Sequence, residues 1–370
     1  MATKFSKSGH KPDYFLIALL FVLVVFGLAM LASASSDLGK IQFNDSYYYI
    51  KHQIYFGLGL GLVGFFTAYF FNYQYLRKFA FPLLLVSLVC LALVFTKLGY
   101  TAGQNASRWL RLGPLSFQPA ELMKLTYIIY LAAWLSNPKL KRASDFIEGL
   151  VPFALISGFI AALLILQPAT STVVILLGAG LVVYILSGAK MKYVFGIILV
   201  GLLGIALVIY VTPYRRARIL GYLHAGSDTQ GQNYQVDQAL IAIGSGGVAG
   251  LGYGQSATKV SYLPTPIDDS IFAVIAEELG FIGAGSLVVL FGMLTFRLFW
   301  LARNVRDQFG RLMLIGFGTV IAFQSFVNMA AISGLIPLTG VPLPFISYGG
   351  TAFAIFLTIS GITVNISKYA

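Results

Sequence analysis

Four carboxylates lie close together where an apolar run begins. Asp268 and Asp269 are adjacent at its start, and Glu277 and Glu278 follow inside it. A carboxylate at a protein surface can act as a general base and take a proton from an attacking hydroxyl group. A carboxylate inside an apolar helix is costly, so it faces the protein interior or a water-filled cavity and is a functional candidate. For each glutamate, the alternative is a hydrogen-bonded or ion-paired anchor.

The aspartates are predicted to act separately from the glutamates. Pro264 and Pro266 break regular structure, so a helix is expected to begin near Ser270, with one aspartate as its N-cap. Adjacent carboxylates repel each other, which leaves the second aspartate for a functional role. The rise of a helix puts both glutamates about 12 Å or more deeper than Asp269.

Basic side chains suited to an anionic group occur in other parts of the chain. Arginine binds phosphate oxygens in a two-pronged manner. The candidates on these grounds are Arg108, Lys124, Arg215 and Arg216. Glu121 lies three residues before Lys124, so these two could simply neutralise each other on one helix face. For the arginines of PYRRARIL, residues 213–220, the alternative is binding to anionic lipid headgroups.

The segment GLIPLTGVPLPFISYGGTAF, residues 334–353, has three prolines and no charged residue. Irregular backbone at membrane depth persists only where it is buried in protein or lines a cavity, so this segment is predicted to shape a pocket. Gln324 and Asn328 share one face of the preceding helix and can form hydrogen bonds between helices. Asn328 and Ser347 are therefore supporting candidates.

The sequence contains no motif typical of a metal site, an ATP-driven pump or an α/β hydrolase. The histidines His10, His52 and His224 are widely separated, and none is spaced as a metal-binding pair. The sequence contains neither a GxxxxGK[ST] phosphate loop nor a GxSxG motif.

The composition indicates an integral membrane protein. Of 370 residues, 58% are hydrophobic and only 10% are charged, and the mean hydropathy is +0.83. The formal charge of +12 comes from basic residues in short loops, so no nucleic-acid partner is expected.

The apolar runs predict an all-α, polytopic membrane protein with about ten transmembrane helices. We expect one domain, residues 1–370, with a tail at 1–13 and a long outward-facing loop at 213–269 between helices 7 and 8. The predicted spans are 14–34, 53–72, 77–97, 119–136, 146–166, 170–187, 191–212, 270–300, 312–336 and 350–367.

The basic residues predict the orientation of these spans. More lysines and arginines fall on the side of the two termini, which places both termini in the cytoplasm. The exceptions are concentrated in the loops 98–118 and 213–269, which are therefore expected to be functional.

An ordered set of motifs resembles the SEDS family of shape, elongation, division and sporulation proteins. It comprises RW with FQPAELMKL, PYRRAR, YQVDQALIAIGSGGVAGLGYG, YLPTPIDDSIFAVIAEELG and PLTGVPLPFISYGG, and it covers nearly the whole chain. QPAE and the C-terminal NISKYA are more similar to the division branch, FtsW, and its sporulation relatives than to the elongation branch, RodA.

The resemblance implies a glycosyltransferase that polymerises lipid II into peptidoglycan in the bacterial cytoplasmic membrane. It implies a class B penicillin-binding protein as partner, together with other division or elongation proteins. Asp269 aligns with the essential aspartate of the family, and Asp268 occupies the usual threonine position. Glu121 and Lys124 match polar positions of the family, and Arg215, Gln238 and Lys259 do so more loosely.

The resemblance and the charged residues together predict a mechanism. Asp269 is expected to take the proton of the acceptor hydroxyl group, and the cations are expected to stabilise the departing lipid diphosphate. A divalent cation, Mg or Mn, is a further candidate for that stabilisation, and no ligands are assigned to it.

Three departures from the family pattern affect the site. The family's QPDLGT reads QPATST, so Ala169 replaces an acidic residue and Ser171 replaces a glycine. Thr265 replaces a common glutamate, and Ile267 replaces a frequent histidine. Asp268 is a candidate to take over the role of the missing carboxylate.

Two other functions remain open at this point. A flippase or transporter of a lipid-linked precursor would also use buried carboxylates, but near the membrane midplane. A scaffold that only recruits partners would tolerate the loss of Asp269.

Overall fold

The computed structural model describes residues 11–100, 107–112, 115–137, 142–223, 234–261 and 263–370. Nearly all regular structure is helical. The helices are α1 Tyr14–Phe43, α2 Tyr48–Phe70, α3 Tyr73–Leu93, α4 Pro119–Leu135, α5 Phe146–Leu166, α6 Thr170–Leu186, α7 Met191–Val211, α8 Pro213–Leu223, α9 Tyr234–Ser245, α10 Ile271–Asn304, α11 Gln308–Ile332 and α12 Gly350–Ser367.

Eight of the described helices are long and apolar enough to cross a membrane. The helix α6 is apolar but shorter, and α4 has 17 residues and carries Glu121 and Lys124. These ten helices lie at the ten predicted spans. The main difference in bounds is at α1, which continues for 30 residues to Phe43.

The loop at 98–118 contains strands that the all-helical prediction missed. Strands β1 Gly99–Tyr100, β2 Trp109–Leu112 and β3 Leu115–Phe117 form a small antiparallel sheet in the order β1-β2-β3. Period-two alternation is too short to recognise in strands of two to four residues.

Contacts between distant residues define the two ends of the bundle. The Asp13 backbone N–H donates to Ser367 Oγ at 3.0 Å, so the beginning of α1 and the end of α12 lie together. We call this the terminal end. The opposite end, the loop end, carries the small sheet, α8, α9, the turn 263–270 that precedes α10, and residues 334–349. The candidate residues Arg108, Arg215 and Asp269 are all at the loop end.

The helix α10 is broken at Gly280, which has φ 65° and ψ −166°. The carbonyl groups of Glu277 and Glu278 accept hydrogen bonds of 3.0 Å from the N–H groups of Leu251 and Gly252. Beyond the break, the Phe281 N–H donates to the Gly247 carbonyl at 2.9 Å. Residues 246–252 therefore satisfy the backbone groups that the break releases, which is the condition for irregular backbone inside a membrane protein.

Glycine is required where these two segments cross. A side-chain carbon added to Gly280 would lie 2.4 Å from the Gly250 nitrogen, and one added to Gly246 would lie 2.0 Å from the Ala276 carbonyl oxygen. Gly246 and Gly280 thus permit a backbone approach that a larger residue would prevent.

Candidate active site

Asp268 and Asp269 belong to a tight turn before α10. The Thr265 carbonyl accepts from the Asp268 N–H at 3.1 Å and from the Ser270 N–H at 3.4 Å. Thr265 has φ 49°, in the left-handed region that β-branched residues rarely adopt. The prediction that an aspartate caps α10 is wrong, because Ser270 is the N-cap residue and makes no side-chain cap bond. The Asp269 carboxylate is instead bound by other side chains.

The Asp269 carboxylate accepts two hydrogen bonds through one oxygen, Oδ1. The Thr265 hydroxyl group donates to it, and Gln235 Nε2 donates to it at 3.3 Å. Gln235 also donates to Ser270 Oγ at 2.9 Å. Burial raises the pKa of Asp269, while these two donors, its own backbone N–H and the charge of Arg218 lower it in part.

The Asp268 carboxylate has no hydrogen-bond partner within the described ranges. Burial, together with the charge of Asp269, raises the pKa of Asp268 to about 7. Beside it lies Tyr348, whose hydroxyl group is 2.9 Å from His52 Nδ1. Burial and the nearby tyrosines and Asp268 raise the pKa of Tyr348.

The proline-rich residues 336–349, which we call the clamp, hold the backbone of this turn. Ser347 Oγ donates to the Asp268 carbonyl at 2.5 Å and accepts from the Leu343 N–H at 2.7 Å. The Tyr348 N–H donates to the Ile267 carbonyl at 2.8 Å. The clamp therefore fixes the position of both aspartates through their main chain.

Asn328 connects the turn to the clamp from α11. Its Nδ2 donates to the carbonyl groups of Asp269 and Val341, both at 2.8 Å. Gln324, one helical turn earlier, donates to the Pro342 carbonyl at 2.9 Å. Asn328 and Ser347 thus act on the backbone of the site, with no contact to either carboxylate.

Three arginines form a cluster at the loop end, and one of them, Arg218, lies near Asp269. Arg108 donates to the Gln167 and Pro168 carbonyls at 3.1 and 2.7 Å, and Arg215 donates to the Ile165 carbonyl at 3.0 Å. Burial lowers the pKa of Arg108, and the nearby charges of Arg218 and Arg215 lower it further.

Arg218 connects this arginine cluster to the clamp and lies near Asp269. It donates to the Leu338 carbonyl of the clamp at 3.1 Å and to the Tyr214 hydroxyl group. Across the described ranges, no carboxylate forms an ion pair with Arg108, Arg215 or Arg218. The three guanidinium groups therefore leave a local excess of positive charge near Asp269.

The two candidate lysines are placed elsewhere, in buried ion pairs. Lys124 Nζ lies 2.6 Å from Glu121 Oε1 and 2.6 Å from Gln324 Oε1, with no exposed side-chain surface. Lys259 Nζ lies 3.0 Å from Glu278 Oε1, which also accepts a hydrogen bond from Ser33. Neither lysine shares a contact with Asp269, so the structure does not bring them into the carboxylate and arginine site.

Glu277 is an anchor as well. Its carboxylate accepts from Ser256 Oγ at 2.5 Å, from the Thr258 hydroxyl group, and from the Ala257 N–H at 3.1 Å. The alternative of a hydrogen-bonded or ion-paired anchor therefore fits both glutamates, because protein donors occupy their oxygens.

The remaining candidates receive less support from their surroundings. Arg216 is exposed, and neither it nor Gln238 makes a side-chain hydrogen bond or ion pair within the described ranges. Sequence reasoning named Gln238 and missed Gln235, one helical turn earlier, and it did not predict Arg218 as a site residue. Gln235 and Gln238 are both polar residues of the same short helix, which could have suggested Gln235. Only the fold shows that Gln235 is the one that faces Asp269.

These features define a polytopic membrane protein with a carboxylate and an arginine cluster at one end of its helical bundle. Comparison with known proteins identifies the family, because the FtsW/RodA/SpoVE family of cell cycle proteins matches residues 13–370. The chain belongs to this family, which confirms the resemblance.

The similar proteins include division and sporulation members. Stage V sporulation protein E of Bacillus subtilis (strain 168) is 37% identical, covering 97% of this chain and 98% of that protein. A protein of Geobacter sp. (strain M18), named as a probable peptidoglycan glycosyltransferase FtsW, is 35% identical, covering 96% of each.

Solved structures share the fold over nearly the same length. A chain from a structure described as the structural coordination of polymerization and crosslinking by a peptidoglycan synthase complex is 32% identical, with a TM-score of 0.78, and the match covers 96% of this chain and 97% of that one. The rod shape determining protein RodA of Thermus thermophilus is 30% identical, with a TM-score of 0.69 and 96% coverage of each chain.

Proposed function

We propose that this chain is a peptidoglycan glycosyltransferase that polymerises lipid II, with Asp269 as its general base. The observation that carries this proposal is the Asp269 carboxylate held beside Arg218, at the edge of an arginine cluster that no described carboxylate neutralises. The names of the similar FtsW proteins support the same activity.

The chemistry requires both parts of the site. A sugar hydroxyl oxygen of the acceptor attacks the anomeric carbon of the donor, a new glycosidic bond forms, and the bond to the lipid diphosphate breaks. Asp269 accepts the hydroxyl proton, and the electron pair of the broken bond leaves on the diphosphate oxygen. Aimed positive groups stabilise the charge that develops there, and Arg218, Arg215 and Arg108 are placed for this role.

The orientation follows from the substrate and the basic loops. We place the loop end on the outer face of the bacterial cytoplasmic membrane and both termini in the cytoplasm, in agreement with the distribution of lysine and arginine. A class B penicillin-binding protein is the proposed partner, supported by the match to a chain of a peptidoglycan synthase complex.

A metal requirement stays a prediction. Within the described residues, no group of three or more His, Cys, Asp or Glu side chains could hold a metal ion. These residues do not fit a resident metal site, so a Mg or Mn ion would enter with the diphosphate as part of the substrate.

The transporter alternative loses its main support. It rested on Glu277 and Glu278 as free carboxylates deep in the membrane, and both are occupied by protein donors. Asp268, Asp269 and the arginines Arg108, Arg215 and Arg218, which form no ion pair among the described residues, lie at the loop end, where a polymerase needs them.

The test is a polymerisation assay with the purified chain, lipid II and the cognate penicillin-binding protein. Glycan chains that depend on this chain are the expected product. If lipid II instead crosses the membrane of vesicles containing the chain while no polymer forms, the transporter alternative replaces the proposal.

Arg218→Gln is expected to lower the polymerisation rate by about tenfold to a hundredfold, because a side chain that stabilises leaving-group charge contributes a few kcal/mol. The rate is measured with saturating lipid II, and Arg306→Gln, an exposed arginine at the terminal end, is the control. Equal rates for the two variants would remove Arg218 from the mechanism.

A further inference from the structure

The two oxygens of the Asp269 carboxylate have different surroundings. Oδ1 accepts from the Thr265 hydroxyl group and from Gln235 Nε2. Oδ2 accepts no hydrogen bond from a side chain among the described residues, and a side-chain carbon added to the exposed Gly340 would lie 3.8 Å from it. One oxygen is therefore held by the protein, and the other lies towards an open part of the clamp.

Thr265 holds Oδ1 at a conformational cost. Its φ of 49° is unfavourable for a β-branched residue. In this conformation the Thr265 carbonyl closes the turn by accepting from the Asp268 and Ser270 N–H groups, while the hydroxyl group reaches Asp269. Strain of this kind persists only where the surrounding contacts impose it, and here those contacts converge on the base.

Gln235 approaches the same oxygen from another element. It lies in the first turn of α9 and also donates to Ser270 Oγ at 2.9 Å. Thr265 and Gln235 are far apart in sequence, so their convergence on Oδ1 depends on the packing of α9 against the beginning of α10.

From this geometry, we infer that Thr265 and Gln235 are positioning residues that bind Oδ1 of Asp269 and leave Oδ2 as the oxygen that takes the acceptor proton. The inference rests on the proposed function and assigns roles to two residues of the same site. Hydrogen bonds to a carboxylate favour its charged form, so these donors also keep the base ionised at lower pH.

Few other charges face Asp269 within the described ranges. Asp268 lies in the same turn, with Tyr348 of the clamp beside it, and Arg218 faces Asp269 from α8. α11 contributes the uncharged Asn328. A substitution that removes the Thr265 hydroxyl group therefore takes one hydrogen-bond donor from Asp269 and leaves the neighbouring charges unchanged.

The experiment compares the pH profile of lipid II polymerisation for the wild type, Thr265→Val and Thr265→Ser. Valine has the shape of threonine and lacks the hydroxyl group, so we expect the acid limb of kcat/KM to move up by about one pH unit, a tenfold loss at acidic pH, with the alkaline plateau retained. Serine keeps the donor and is expected to restore the wild-type profile. Gln235→Met should move the limb in the same direction.

The matched control is Thr258→Val, which removes another threonine hydroxyl group from a carboxylate, that of Glu277. A loss of packing or hydrogen bonding alone would lower the thermal stability of that variant and leave its acid limb unmoved. An unshifted acid limb in Thr265→Val would overturn the inference while leaving the glycosyltransferase proposal intact. Absence of polymer from the wild-type complex would instead reject the proposed function.

Discussion

Asp269→Asn is expected to reduce lipid II polymerisation by about 10²–10⁴-fold, the range that a positioned general base contributes. Asparagine has the same shape, and its amide oxygen can still accept from Thr265 and Gln235, so the turn should keep its structure. The clamp holds this turn through backbone carbonyls, which the substitution does not alter. The measurement is the single-turnover rate of the purified complex.

The control for this variant is Asp45→Asn, which also removes a carboxylate at the loop end. Asp45 forms an exposed ion pair with Lys51 at 2.8 Å, and exposed pairs contribute little to stability. We expect its rate to stay close to that of the wild type. If Asp269→Asn polymerises as fast as Asp45→Asn, Asp269 is not the base, and a scaffold role for the chain returns.

Lys259→Met is expected to destabilise the protein by about 3–5 kcal/mol, because it leaves the Glu278 carboxylate buried without its partner. Glu278 has no exposed side-chain surface, and among the described residues Ser33 is its remaining side-chain donor. The same pair connects the 254–259 segment to α1 and α10, so its loss should loosen the loop end. The measurement is the unfolding temperature of the protein in detergent.

Two further variants show whether the effect is structural. Lys259→Met combined with Glu278→Gln removes both charges, and it should recover much of the lost stability. Lys97→Met, an exposed lysine at the loop end, should leave the unfolding temperature unchanged. A Lys259→Met protein that keeps its unfolding temperature but loses lipid II binding would return Lys259 to the substrate site.

Much of the architecture could be predicted from local sequence. A membrane requires about 20 apolar residues for each helical span, so composition and spacing locate the helices without knowledge of their packing. The same helical geometry correctly separated Glu277 and Glu278 from Asp269. The prediction that an aspartate caps α10 was wrong, because the Asp269 carboxylate accepts hydrogen bonds from Thr265 and Gln235 instead of from the helix backbone.

The identity of each charged partner could not be predicted in this way. Sequence reasoning grouped Lys124 and Lys259 with the arginines because all are cations that could stabilise a departing diphosphate. The structure pairs each lysine with a buried glutamate and leaves Arg108, Arg215 and Arg218 without a described carboxylate partner.

By itself, the sequence determined that this is a helical membrane protein, where its spans lie, and that its polar motifs resemble one family. Only the tertiary structure decided that α10 breaks at Gly280, that Gln235 faces Asp269, and which cations remain available to a substrate. The physical reason is range: hydrophobicity and helical period act over neighbouring residues, whereas a hydrogen bond such as that from Gln235 to Asp269 joins residues brought together by folding.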